Sequence, residues 1–344
     1  MEIKSLSDIA HSSPVLVFGA GGGGDIVGAL HLYTKLKDLD AEAYLGALVW
    51  ERYVIDPHPG PIPLTAFLNI DPLSDTAALA GGDAVAYRYG IEIKPQAVRV
   101  AEALNERVVL LDASRGAEGL RRALYSVKEE LGVKTIVAVD VGGDILAKGY
   151  EEELWSPLAD ALSLYALEGF EGSKLVAVHS PGSDGELPEE KVLEYISGLA
   201  RSGAIVASIG LDRRDYEFFT TIQEYVVTEA SKIAYKAFEG YMGETDIRKG
   251  TRKVRVTPYS MTTFILGGHE VYTHSEIAPL VAGSGHIGDA SKALNSKCIY
   301  TEYDLEKDIA HIIEEGYQVD EIDVIDVRIK GREKLRKRCG AKLG

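Results

Sequence analysis

Two glycine-acid turns hold the residue types from which a catalytic or binding site could be built. The first lies in VLVFGAGGGGDIVGAL, residues 15–30, where an apolar run gives way to Gly19, Ala20, Gly21, Gly22, Gly23 and Gly24 before Asp25. The second lies in TIVAVDVGGDILAKG, residues 135–149, where Asp140 precedes Gly142 and Gly143, and Asp144 follows them. Glycine accepts positive φ and lets a ligand approach the main chain closely. A helix opening after such a turn presents free N–H groups and the positive end of its dipole to an anion. A carboxylate in the same place can simply cap the helix, yet it repels a phosphate unless a divalent cation lies between them. Hard carboxylate oxygens suit Mg²⁺ or Mn²⁺ shared with a substrate phosphate. On this reading Gly21, Gly22, Gly23, Gly24, Gly142 and Gly143 face the phosphates, while Asp25, Asp140 and Asp144 hold the metal.

Proton transfer needs a further group. VAVHSPGSDGEL ends an apolar run at His179 and places Asp184 in a Pro/Gly turn; either is a candidate general acid or base. A hydrogen-bonded structural histidine is the alternative for His179. ASIGLDRRD offers Arg213 as a phosphate partner, and LVWERYVIDPHPGPIP sets Glu51, Arg52, Asp56 and His58 in a proline-pinned loop. Other chemistries find less support. His269-Glu270 and His274 carry one residue too many for the H-E-x-x-H zinc pattern, no Lys-Ser/Thr pair follows the glycines as a P-loop requires, and no G-x-S-x-G elbow is present. The G-x-G-x-x-G spelling at Gly19 also fits a dinucleotide fold. Its acid would be Glu51, well beyond the spacing of about 20 residues that the fingerprint expects.

These turns need elements to position them, and the pattern supplies an α/β alternation. Apolar, β-branched runs at 15–18, 43–49, 84–87, 108–111, 135–139, 175–178, 205–209, 254–256 and 298–301 read as strands. Amphipathic stretches at 97–104, 117–131, 158–167 and 189–202 read as helices between them. Continuous apolar strands separated by helices predict a doubly wound, mostly parallel, Rossmann-like sheet with helices on both faces. Residues 215–241 read as the longest helix, its apolar face turned to the core or to a second subunit, which leaves a homo-oligomer open. The charged segment after it reads as an exposed connection. We expect a single domain over 1–344, with 213–344 a distinct C-terminal portion.

Bulk properties narrow the class. The 344 residues carry 53 acids against 37 bases, a net charge of −16, which opposes nucleic-acid binding as a whole. No apolar run reaches the ~18 residues of a membrane span, and the N-terminal stretch lacks the layout of a signal peptide, so a cytoplasmic protein is expected. Cys298 and Cys339 make no metal-ligand spacing, and a disulfide would be unusual in that compartment. Lys330, Arg332, Lys334, Arg336, Lys337, Arg338 and Lys342 crowd the C-terminus, a pattern more typical of a solvated helix end than of an anion-binding arm.

GAGGGGDIVGA, WERYVIDPHPGPI and VDVGGDILAKGYEEELWSPLADALSLYA, in that order, resemble the archaeal proteins grouped as domain of unknown function 1152. The resemblance spans nearly the whole chain and implies a cytosolic archaeal protein; it brings no activity and no catalytic residues. From the residues themselves we expect a divalent-metal-assisted enzyme acting on a phosphorylated or nucleotide-like small molecule, by hydrolysis or phosphoryl transfer. The alternatives are a non-catalytic nucleotide or metabolite-binding module, for which a dinucleotide is the natural ligand, and, last, a purely structural protein.

Overall fold

A computed structural model describes residues 3–340 of the chain. The strands are β1 (Val15–Gly19), β2 (Ala43–Leu48), β3 (Phe67–Pro72), β4 (Ala77–Arg88), β5 (Ile91–Ile93), β6 (Val108–Leu111), β7 (Thr135–Val141), β8 (Ser173–His179), β9 (Ile205–Gly210), β10 (Gly243–Ile247), β11 (Arg252–Val256) and β12 (Thr262–Gly267). The helices are α1 (Leu6–His11), α2 (Asp25–Asp38), α3 (Arg52–Ile55), α4 (Gln96–Leu104), α5 (Gly116–Leu131), α6 (Pro157–Glu168) and α7 (Glu189–Arg201). After them come α8 (Arg213–Ile222), α9 (Ala230–Phe238), α10 (Gly268–His274), α11 (Ile287–Asn295), α12 (Glu302–Glu314) and α13 (Val324–Gly340).

The central sheet runs β3-β4-β6-β2-β1-β7-β8-β12-β9, with β5 added to β4. Its five middle strands, β6, β2, β1, β7 and β8, are parallel. This is the predicted α/β fold, with antiparallel strands on both flanks. Parallel strands are buried on both faces, so their sequences are apolar throughout rather than alternating; β1 and β7 are buried along their whole length. Val17 pairs with Leu45 on one side and Val137 on the other. Alternate residues feed two cores. Leu16, Phe18, Ile136 and Ala138 pack in the layer with α5 and α6, and Val15, Val17, Val137 and Val139 pack in the layer with α2 and α4. Each Val, Leu, Ile or Phe side chain among these contributes roughly 1.5–3 kcal/mol on burial.

The topology gives a candidate site its place. From β1 the chain crosses through α2 to β2 on one side, and from β7 through α6 to β8 on the other. The order therefore reverses between β1 and β7. In open α/β sheets ligands gather at such a switch point, outside the carboxyl ends of the strands. Both glycine-acid turns leave the sheet there.

Several predicted elements differ. Residues 215–241 form two helices, α8 and α9, because the chain leaves helical geometry between Ile222 and Ala230. There Gln96 bonds the main chain of Val227, and Thr228 bonds Ser231. The run at 298–301 is not a strand. Cys298 takes a left-handed φ of +64°, and Thr301 caps α12 through a capping box with Asp304. The charged segment after α9 is an ordered hairpin of β10 and β11, in which residues 254–256 pair locally rather than with the central sheet. Its apolar side, Ile247, Val254 and Val256, packs on Ile233 and Ala237 of α9. β12, within residues 213–344, lies between β8 and β9 in the central sheet.

Against expectation, Cys298 and Cys339 form a disulfide, which ties the approach to α12 onto α13. Basic residues of α13 fasten that helix to the segment before α6. Arg332 pairs with Glu152 at 2.9 Å, and Arg328 donates to the Glu152 carbonyl at 2.9 Å. Lys342 lies outside the described residues. No helix among the described residues is long and apolar enough to cross a membrane.

Candidate metal centre

Three segments deliver three carboxylates to the switch point. The glycine turn is held between strands: the Ala20 N–H donates to the Val139 carbonyl (2.8 Å) and the Gly23 N–H to the Trp50 carbonyl (2.9 Å). Asp25 then opens α2, half-buried, its Oδ2 accepting the Gly21 N–H at 2.6 Å. Asp140, near the end of β7, is buried and accepts the Ile145 N–H at 3.1 Å. Asp160 lies in the first turn of α6, is 2% exposed, and neither of its oxygens has a hydrogen-bond partner among the described residues. One oxygen from each of Asp25, Asp140 and Asp160 lies within 4.8 Å of the others.

The start of α6 is fixed by two further buried acids. Glu302 accepts the N–H groups of Leu158 (3.0 Å) and Ala159 (2.8 Å), and Glu186 accepts those of Trp155 (2.7 Å) and Ser156 (2.8 Å). These satisfy donors that every helix N-terminus leaves free and place negative charge at its positive end. Ser163 of the same helix bonds the Ala20 carbonyl at 2.8 Å, joining α6 to the glycine turn. A glycine is needed where the acids crowd. A Cβ at residue 21 would stand 2.7 Å from Asp25 Oδ2 and 3.1 Å from Asp160 Oδ1. At Gly142, with φ +119°, it would run into the carboxylate of Asp184.

Asp144, Asp184 and Glu186 make a second group, again within 4.8 Å, but its members are not equivalent. Glu186 is already saturated by the Trp155 and Ser156 N–H groups, the Ser156 hydroxyl and Arg252. Burial pushes its carboxyl up, but Arg252, Ser156 and the Trp155 N–H outweigh that and hold it at about 2. We therefore assign Glu186 to holding α6 and Arg252, while Asp184 Oδ1 accepts the Glu186 N–H at 3.2 Å, which leaves Asp144 as the open acid of this group. Asp144 Oδ2 has no partner among the described residues.

The remaining acids behave as an uncompensated cluster. Burial raises Asp25 to about 7 against the pull of the Gly21 N–H and Arg52, and burial together with the charge of Glu186 raises Asp184 to about 7. Asp140, Asp144 and Asp160 are pushed well above the usual carboxylate range, by burial first and then by one another and the neighbouring acids. Carboxylates crowded in a low-dielectric site cannot all ionise without a cation. Two arginines close by, Arg52 and Arg252, are engaged. Arg52 lies over the Trp50 ring (4.3 Å to its centre), donates to the Gly21 carbonyl and faces Glu302 at 3.4 Å. Arg252 lies over Trp155 at 4.6 Å.

The structure brings Asp25, Asp140, Asp144, Asp184 and both glycine turns to one place. It sets His179 elsewhere. That side chain is 1% exposed, and its Nδ1 lies 2.7 Å from Thr263 Oγ1, to which His31 Nδ1 also comes at 2.9 Å. No hydrogen bond joins His179 to the acids among the described residues, and burial, with His31 beside it, lowers its pKa to about 3. Arg213 opens α8 beyond the edge strand β9, exposed and 5.8 Å from the Phe238 ring centre. Asp56 and His58 pair with one another, Asp56 also with Arg88. Glu51 stands buried at the exit of β2 beside Gly23, one oxygen on the Gln96 N–H (3.1 Å) and the other unpaired. Sequence reasoning missed Asp160. Its signal was a lone acid near the start of PLADALSLYALE, a helix apolar almost all round. Arg252 and Glu302 had no local signal.

The family model that matches the chain is described as protein of unknown function DUF1152, and it covers residues 16–310, from β1 into α12. No curated protein and no solved structure matches the chain.

Proposed function

Taking as premise that the chain belongs to the DUF1152 family, we propose that it is a divalent-metal-assisted enzyme acting on a phosphorylated or nucleotide-like small molecule. The observation that carries this is Asp160, a buried carboxylate with both oxygens unpaired beside Asp25 and Asp140. A buried, unpartnered acid of this kind persists when a counter-ion or a reacting group uses it. All-oxygen, acid-rich donors suit Mg²⁺ or Mn²⁺ rather than zinc. Asp25, Asp140 and Asp160 would hold the cation, with Asp144 next to them. Such a cation lowers the pKa of bound water and offsets the charge of a phosphate. The chain's own residues do the rest: the glycine turn lets the ligand reach the main chain, and Asp184 is the candidate to move a proton. Hydrolysis and phosphoryl transfer both fit.

The test is calorimetric titration with Mn²⁺, followed by phosphate release from a panel of sugar phosphates and nucleotides with Mn²⁺ or with chelator. Mn²⁺ binding that Asp160→Asn abolishes, with turnover that chelator stops, supports the reading. A wild-type protein that binds no divalent cation overturns it.

Glu51 favours a second reading. An acid at the end of β2, beside a glycine turn, is where a Rossmann-type fold holds ribose hydroxyls, and Glu51 keeps one oxygen free. Binding of NAD without a cation, lost in Glu51→Gln, would mark the chain as a dinucleotide-binding module instead.

A further inference from the structure

Arg248 is an arginine that the protein leaves without an anion beside an acidic site. It opens the turn of the β10–β11 hairpin, whose last register pair is Ile247 with Arg252. Arg248 (φ +54°) and Lys249 (φ +56°) both take left-handed backbone, the geometry by which a tight hairpin turn matches the twist of its strands. The turn is pinned on both sides. Toward the glycine turn, the Arg248 N–H donates to Glu229 Oε2 at 2.5 Å. The residue before Glu229, Thr228, has its Oγ1 3.7 Å from the place a Cβ on Gly24 would occupy. Toward the second acid group, Arg252 donates to the Asp184 carbonyl and to Glu186 Oε1, each at 3.0 Å. The hairpin turn thus lies between the first glycine-acid turn and the segment that carries Asp184 and Glu186. The charge of Arg248 acts on Asp25, Glu186, Glu229 and Asp184, yet its side chain makes no hydrogen bond or ion pair among the described residues. Arg52 and Arg252 differ in this respect, since each is paired with a buried glutamate.

We infer that Arg248 is the residue that binds the phosphate of the substrate. The inference rests on the metal-assisted reading above. A planar guanidinium presents paired N–H donors that match two phosphate oxygens. Asp25, Asp140 and Asp160 would hold the cation, which would supply the rest of the positive charge the phosphate needs. The hairpin gives the site its anion specificity, because the carboxylates alone would repel such a ligand.

The experiment titrates the full chain first with Mn²⁺ and then, at saturating Mn²⁺, with inorganic phosphate. It compares wild type with Arg248→Ala, Arg248→Lys and Arg255→Ala. Arg255 is the control, an exposed hairpin arginine paired with Glu190 at 2.9 Å. Arg248→Ala is expected to bind Mn²⁺ as wild type does and to lose phosphate affinity about tenfold or more, the effect of one charge-assisted contact. Arg248→Lys falls between, keeping charge without the fork. Arg255→Ala stays at the wild-type value. Phosphate affinity unchanged in Arg248→Ala overturns the inference, as does a wild type that takes Mn²⁺ but no phosphate; both leave the metal reading standing. A wild type that takes no Mn²⁺ removes the metal reading, and the inference with it.

Discussion

Replacing Asp160 by asparagine should raise the stability of the metal-free protein and abolish its response to metal. Without a cation, Asp160 is a buried carboxylate with no donor on either oxygen, set against Asp25 and Asp140. Leaving a buried polar group unpaired costs about 1–3 kcal/mol, and more when it is charged. Asparagine keeps the shape, removes the like charge and offers an N–H₂ group to the neighbouring carboxylates. A hydrogen bond to a charged partner contributes about 1.5–3 kcal/mol. Allowing for relaxation, the gain in chelator should be about 2–4 kcal/mol, with asparagine and carboxyl otherwise isosteric. An unfolding entropy of about 2.1 cal/mol/K per residue converts this, for a chain of this length, into about 3–6 °C in Tm. Saturating Mn²⁺ closes most or all of this gap. A ligand at a hundred times its Kd stabilises by about 2.7 kcal/mol, or about 4 °C, and that increment belongs to wild type alone. The assay is differential scanning calorimetry in mildly alkaline buffer, with EDTA and then with Mn²⁺. A variant less stable than wild type in EDTA would refute the argument from an uncompensated acid. Equal Mn²⁺ increments in both proteins would refute Asp160 as a ligand.

Gly142→Ala should destabilise by about 3 kcal/mol or more, because strain at positive φ adds to displacement of Asp184, and it should weaken the Mn²⁺ increment; chemical denaturation and the same calorimetry read both. Glu302→Ala frees two N–H groups at the start of α6 and leaves Arg52 short of a partner, so a loss of about 3–5 kcal/mol is expected, as for a broken buried pair, against a smaller loss for Glu302→Gln in urea melts. His31 and His179 are lowered by burial to about 4 and about 3 from 6.5. Their folded pKa values lie below the unfolded one, so the stability they contribute is complete above pH 6.5 and is lost as pH falls toward about 4 and 3. The loss runs at about 1.4 kcal/mol per pH unit for each histidine. Against wild type, His179→Gln should therefore show a constant stability difference above that pH and a shrinking one below it; a difference that does not change with pH would mean the imidazole is not held neutral.

The sequence by itself determined the elements that bury apolar surface continuously. β1, β2, β6, β7 and β8 are runs whose hydrophobicity demands burial on both faces, and the helices between them carry the 3.6-residue period, so the doubly wound class followed from local pattern. The two glycine-acid turns were legible for the same reason: each is a break at the end of such a run. Only the tertiary structure decided which turns meet. Adjacency of β1 and β7 is a property of strand order, and no local signal encodes it. Asp160 joins Asp25 because α6 crosses from β7 to β8 and starts where β1 ends, its N-terminus held by Glu186 and by Glu302, the latter well over a hundred residues away along the chain. The same holds for what was misread. His179 has the residue type for proton transfer, but the alternation of side chains along β8 turns it toward Gly28 and Thr263, onto the α2 face of the sheet. The charged stretch around Arg248 looked like a solvated connection because its burying partner, α9, precedes it in an amphipathic run that reads as one helix. Local periodicity reports how much surface an element must hide. Which charges then have no partner is set by long-range packing, and in this protein that is what places the candidate site.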